Sequence, residues 1–184
     1  MEVGKLQRAG QEREQARPTR CNAPKCIYYG PRAFGTRGVR PGQGRDPRHM
    51  TASPVFFYGL FMDADALRSK GAHPANVRPA ALPGYTIRIG NRATLVREPG
   101  SAAYGVLMDL PRNEIDALYS GPGLEAYRAE PVVAEGPDGA KTAALCFNLV
   151  TPPSPGEANR EYADKLRDLA RRLGLPRDYI ERIR

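Results

Sequence analysis

Near Met50 the chain changes character within a few residues. A stretch with no regular apolar spacing gives way to Val55-Phe56-Phe57-Tyr58, a short apolar, β-favouring run ended by Gly59. Residues 1 to 49 hold seven Gly and five Pro among scattered Arg, and no apolar period of about 2 or 3.6 residues lasts through a whole element. Such a segment buries too little apolar surface to offset the entropy of ordering it. The expectation is a disordered basic tail over 1–52, with Met50 as an alternative start, and a single domain over 53–184. A chain of 184 residues is long enough to close one core without disulfide or metal staples.

The same break explains the charge. The whole chain carries +8 and a pI near 9.7, which at first suggests a nucleic-acid partner. Residues 1 to 49 contain 11 of the 28 Lys and Arg but only 4 of the 20 Asp and Glu; the remainder has 17 basic and 16 acidic residues. The folded part is nearly neutral and has no global field to draw it onto a phosphate backbone. Nucleic-acid binding therefore survives only as an alternative acting through the Arg-rich tail. Three cysteines make no disulfide framework, and the polar start is unlike an export signal. No run approaches the roughly 18 apolar residues needed to span a bilayer. A soluble, cytoplasmic protein without a membrane partner is expected.

After the first strand, Asp63 is placed to cap a short helix running to Lys70, with Gly71 behind it. Pro74, Pro79 and Pro83 keep the next connection out of helix. Three β-like segments follow, Tyr85 to Ile89, Arg92 to Arg97 and Ala102 to Leu110, then a short helix from Pro111 to Leu118. Tyr127 to Glu135 and Lys141 to Val150 flank Pro137-Asp138-Gly139 as a hairpin. Leu145, Phe147 and Leu149 alternate with Cys146 and Asn148 like a half-buried strand. The last helix, Glu157 to Leu173, puts Tyr162, Leu166, Leu169 and Leu173 on one stripe, with Glu161/Lys165 and Asp168/Arg172 pairing outside it.

Several chemistries are struck off by their missing motifs: there is no Walker loop, no Rossmann glycine pattern after a strand and no His-Glu-x-x-His. His49 and His73 are the two histidines, one in the tail and one in a Pro-rich loop, so a His-assisted triad has little to build on. Cys21 and Cys26 lack the second ligand pair of a zinc site, and Cys146 reads as buried filler. The informative run is Phe56-Phe57-Tyr58-Gly59-Leu60-Phe61-Met62-Asp63, a strand passing through glycine into a helix start. Such a junction presents backbone N–H groups that suit a carboxylate or the oxygen of a carbonyl under attack.

Farther along, Ala103-Tyr104-Gly105-Val106-Leu107-Met108-Asp109-Leu110 leads into Glu114-Ile115-Asp116-Ala117-Leu118, a Gly/Pro loop, and Tyr127-Arg128-Ala129-Glu130-Pro131-Val132-Val133. In this order the chain resembles the γ-glutamylcyclotransferase superfamily, including its AIG2-like and γ-glutamylamine cyclotransferase branches, over roughly Val55 to Val150. The resemblance implies an α+β fold, a small mixed β-barrel with flanking helices. It implies a transferase or lyase reaction in which the α-amine of a γ-glutamyl amine or peptide attacks its own γ-carbonyl, giving 5-oxoproline and a free amine. No cofactor and no metal is implied, since the attack is intramolecular and gains from a held geometry. By the same resemblance Tyr58, Gly59, Leu60, Phe61 and Met62 form the substrate cradle and Tyr127 lines the pocket.

Two departures bear on activity. Leu60 stands where the family has Ser, and Tyr119 stands where the resemblance places the catalytic Glu. Glu125 is the nearest downstream acid, in a loop whose glycines give it freedom, and it is the expected proton-transfer group. A catalytically silent relative that binds a small carboxylate or amide in the inherited pocket is the alternative that Tyr119 favours.

Overall fold

A computed structural model describes residues 51–184. The expected basic tail, with Cys21, Cys26, His49 and Met50, lies outside the described residues up to residue 50; of its last two positions, Ala52 already opens the first strand. Five strands close into a barrel in the order β1-β3-β2-β4-β5: β1 (Ala52–Phe57), β2 (Ala75–Ile89), β3 (Ala93–Pro111), β4 (Tyr127–Glu135) and β5 (Lys141–Leu149). Neighbours pair antiparallel except at the closure, where β1 runs parallel to β5 through Val55↔Leu145 and Phe56↔Cys146. The expected mixed barrel is therefore the observed one.

β1 is hydrogen-bonded on both sides, and Val55, Phe56 and Phe57 are at most 2% exposed. This is what an unbroken apolar run, as opposed to an alternating one, leads to. Each such side chain taken out of water contributes about 1.5–3 kcal/mol. Gly105 fits the tight approach of β3 to β1, because a Cβ there would collide with the Phe57 carbonyl oxygen.

The three expected middle segments are in fact two long strands. β2 begins at Ala75 and carries Pro79 and Pro83 within it, with register shifts against β3 at Ala75/Arg78 and Pro83/Tyr85 and a positive-φ Gly84 at the second. The prolines are tolerated because β2 is laddered mainly on one side; it pairs with β4 only at Ala81↔Glu135. β5 also differs from expectation. Its Ala144, Cys146 and Asn148 face is buried, whereas Leu145 and Leu149 are only half-buried, so the interior of the barrel takes the smaller and more polar side chains.

The helices pack outside. After a 3-10 turn at Leu60–Met62, the Asp63 side chain accepts from the Asp65 and Ala66 N–H groups and caps α1 (Ala64–Ser69). α2 (Arg112–Tyr119) follows β3 with Ile115 fully buried. α3 (Arg160–Arg172) is capped by Asn159 and buries Ala163, Leu166, Leu169 and Ala170, while Leu173 at the end of the expected stripe is exposed. Glu161 pairs with Lys165 as expected at 2.6 Å. Asp168 instead pairs with Arg171 at 2.7 Å, and Arg172 reaches across to Asp63 at 3.4 Å. A short α4 (Arg177–Arg182), absent from the sequence reading, buries Tyr179 and Ile180, and Ile183 just beyond it is buried too. Among the described residues no helix is long and apolar enough to cross a membrane.

Candidate ligand-binding site

The end of β1 and the turn that follows open onto a cavity of about 140 Å³. One wall is the run Phe57-Tyr58-Gly59-Leu60-Phe61; the others are Arg92 and Ala93 at the start of β3, Tyr119 at the end of α2, Leu124 and Tyr127 before and on β4, Phe147 on β5, and Tyr162 on α3. Sequence-distant elements meet here because the barrel closure brings β5 beside β1 and α3 docks over the 3-10 turn.

The hydrogen bonds fix the tyrosines. The Tyr58 hydroxyl donates to the Phe147 carbonyl at 2.7 Å, tying β1 to β5 inside the core. The Tyr127 hydroxyl donates to the Ala93 carbonyl at 2.5 Å. Tyr119 stacks flat on Phe147, centroids 3.7 Å apart and planes within 10°, and meets Phe61 edge-on at 6.1 Å. Tyr162 reaches in from α3, where its hydroxyl accepts the Leu60 N–H at 3.4 Å, a long bond that a better acceptor would displace. Gly59 leaves space for this approach, since a Cβ there would lie 2.8 Å from the Tyr162 hydroxyl.

Electrostatically the cavity is unusual for a site of acid–base chemistry. Burial raises Tyr58, Tyr119, Tyr127 and Tyr162 above the ordinary phenol value, with neighbouring phenols adding for each except Tyr162. All four are neutral donors near pH 7. Among the described residues Arg92 is the charged group in the wall, and no carboxylate lines it. Cys146 is fully buried outside the wall, and burial raises its thiol far above the usual range, so its expected role as inert filler fits. Among the described residues no group of three His, Cys, Asp or Glu is placed to hold a metal.

Neither a protein-family model nor a curated protein matches the sequence. Solved structures do. A γ-glutamyl cyclotransferase superposes with a TM-score of 0.61 at 18% identity, covering 72% of this chain and 86% of its own. An uncharacterised protein from Homo sapiens gives 0.61 at 20% identity over the same shares. YkqA from Bacillus subtilis gives 0.59 at 25% identity, covering 71% of this chain and 52% of its own. This chain has the γ-glutamylcyclotransferase-like fold.

Within that fold, five of the expected substrate-binding residues, Tyr58, Gly59, Leu60, Phe61 and Tyr127, come together around one cavity. Met62 does not join them: it is 1% exposed and packs into the core beneath the turn. Glu125 is exposed and is not among the lining residues, although its neighbour Leu124 is. Its backbone carbonyl accepts from Arg128, which fixes the chain just before β4. The position that the resemblance gives to a catalytic Glu is filled by the Tyr119 ring. Glu114 on α2 accepts from the His73 N–H at 2.7 Å and meets the His73 ring Nδ1 at 3.0 Å.

The sequence reading gave no site role to Arg92, Phe147 or Tyr162. Arg92 appeared there as the start of a strand, Phe147 as one step of an alternation and Tyr162 as part of a helix stripe. Nothing local distinguishes them, since each reaches the cavity through long-range pairing or docking.

Proposed function

We propose that this chain binds a small γ-glutamyl compound, or the 5-oxoproline formed from one, in the cavity beside Gly59, with little or no turnover. The observation that supports this is the make-up of the wall, which among the described residues offers neutral tyrosine hydroxyls, the Leu60 N–H and one guanidinium, without a carboxylate. Arg92 suits a ligand carboxylate, and the Leu60 N–H suits a carbonyl oxygen. Cyclisation asks for more. The α-ammonium must lose a proton, its nitrogen must bond to the γ-carbonyl carbon, and the amide C–N bond must break as the departing amine takes up a proton. Phenols held neutral by burial cannot accept the first proton near pH 7.

The second reading is a working cyclotransferase in which Glu125 swings inward. What favours it is that Leu124 already lines the cavity and Gly121 and Gly123 flank the loop. The test follows 5-oxoproline release from γ-glutamyl dipeptides and amines for wild type, Glu125→Gln and Tyr119→Glu, each checked for folding by its melt. Under the first reading wild type and Glu125→Gln are equally inert and Tyr119→Glu gains release. A wild-type rate that falls by about 10²–10⁴ in Glu125→Gln would establish the second reading instead.

A further inference from the structure

Seven of the twelve residues in the cavity wall carry aromatic rings, and among the described residues Arg92 is its one charge. Such a wall suits two kinds of guest, an apolar group or a cation, because the faces of aromatic rings carry partial negative charge. The hydroxyls decide between them.

The Tyr58 and Tyr127 hydroxyls spend their hydrogens on the Phe147 and Ala93 carbonyls, at 2.7 and 2.5 Å, so what they keep for a guest is acceptor oxygen. The Tyr162 hydroxyl accepts from the Leu60 N–H. Tyr119 differs from all three, because among the described residues its hydroxyl has no hydrogen-bond partner. Its ring is held in place, stacked flat on Phe147 and met edge-on by Phe61, and it stands 6.0 Å from the Tyr127 ring with the planes inclined at 51°. An apolar guest would leave this hydroxyl unsatisfied, whereas an N–H donor would satisfy it. Arg92 is near enough to Tyr127 and Tyr162 to favour their ionised forms, but not to Tyr119. A cation beside Tyr119 is therefore the least opposed by the guanidinium.

We propose that Tyr119, with the ring of Tyr127, forms an ammonium site in the cavity, and that this site selects open-chain γ-glutamyl compounds over 5-oxoproline. This rests on the reading of the cavity given above and sets the two charges of the ligand at two places: the carboxylate at Arg92, and the α-ammonium on the same carbon at the Tyr119 hydroxyl and the ring faces. The nitrogen of 5-oxoproline is an uncharged lactam and makes no such contact. Phenols held neutral by burial leave the ammonium its proton, so the contact that holds the ligand also keeps it uncyclised.

Isothermal titration of the full chain with γ-glutamylethylamide, its analogue without the α-amine (N-ethylglutaramate) and 5-oxoproline tests it, since the first two differ in the ammonium alone. γ-Glutamylethylamide is expected to bind about tenfold more tightly than either of the others. Tyr119→Phe keeps the stacked ring and removes the hydroxyl. It should cut the preference over the amine-free analogue to about threefold or less, while the affinity for that analogue changes by no more than about twofold. Tyr85→Phe, whose ring does not line the cavity, should leave the preference as it is, and melts of both variants check their folding. Equal binding of γ-glutamylethylamide and the analogue in wild type, tighter binding of the analogue, or a preference that survives Tyr119→Phe in full would overturn the ammonium site while leaving the inner-cavity reading intact. If none of the three binds, both fall together.

Discussion

Gly59 is needed for its lack of a side chain and not for an unusual backbone. It sits at φ −105° and ψ −155°, extended geometry open to any residue, but a Cβ would press on the Tyr162 hydroxyl that accepts from Leu60. Gly59→Val is therefore expected to weaken 5-oxoproline binding at least about tenfold while changing the melting temperature by no more than a few degrees. A melting titration with and without millimolar 5-oxoproline reads both quantities. Retention of the wild-type ligand shift would show that the space over Gly59 is not part of the site. The resemblance grouped Tyr58 to Phe61, and a strand running into a turn does carry these consecutive residues to one cavity wall. Met62 was grouped with them for the same reason, yet the 3-10 turn rotates its side chain into the core. Arg92, Phe147 and Tyr162 were not legible, because their arrival depends on which strands pair and where α3 docks.

At the scale of elements, the pattern of strong apolar runs located β1, the β4–β5 hairpin, α2 and α3, but it could not foresee how strands join. Proline and glycine between Ala75 and Gly100 read as breaks, whereas the structure absorbs them as bulges and a one-sided ladder in β2 and β3. Barrel closure is a non-local fact too: it turns Ala144, Cys146 and Asn148 inward in place of the leucines, and Asn148 is satisfied there by Leu95 and Glu130. The β1–β3 contact is the strictest of these joints. Gly105→Ala would drive a methyl into the Phe57 carbonyl, forcing the two strands apart. A loss of about 2 kcal/mol or more is expected, lowering the melting temperature on the order of 5–10 °C. Thermal melts of the variant check this, and an unchanged melt would contradict the tight register.

For the molecule as a whole, the buried phenols set a limit on alkaline stability. Burial raises Tyr58, Tyr119, Tyr127, Tyr162 and Tyr179 above 10.0, the value of a free phenol, so the folded protein holds protons that the unfolded chain releases. Their contribution to stability is complete below about pH 10 and is lost as pH rises from there through the folded values. Melting temperatures from pH 8 to pH 11.5 should fall steeply only above about pH 10, and a flat profile to the top of that range would contradict the burial of these rings. More consequential for the whole molecule, this barrel lines its cavity with neutral tyrosines and Arg92 and, among the described residues, with no carboxylate that could transfer a proton, which is the basis of the proposed binding without turnover. One NMR titration of full-length protein with γ-glutamylglutamate tests that directly, by following ligand resonances over hours. The expected result is saturable binding with the ligand recovered intact; absence of saturable binding, or conversion of the ligand to 5-oxoproline and glutamate, would contradict it.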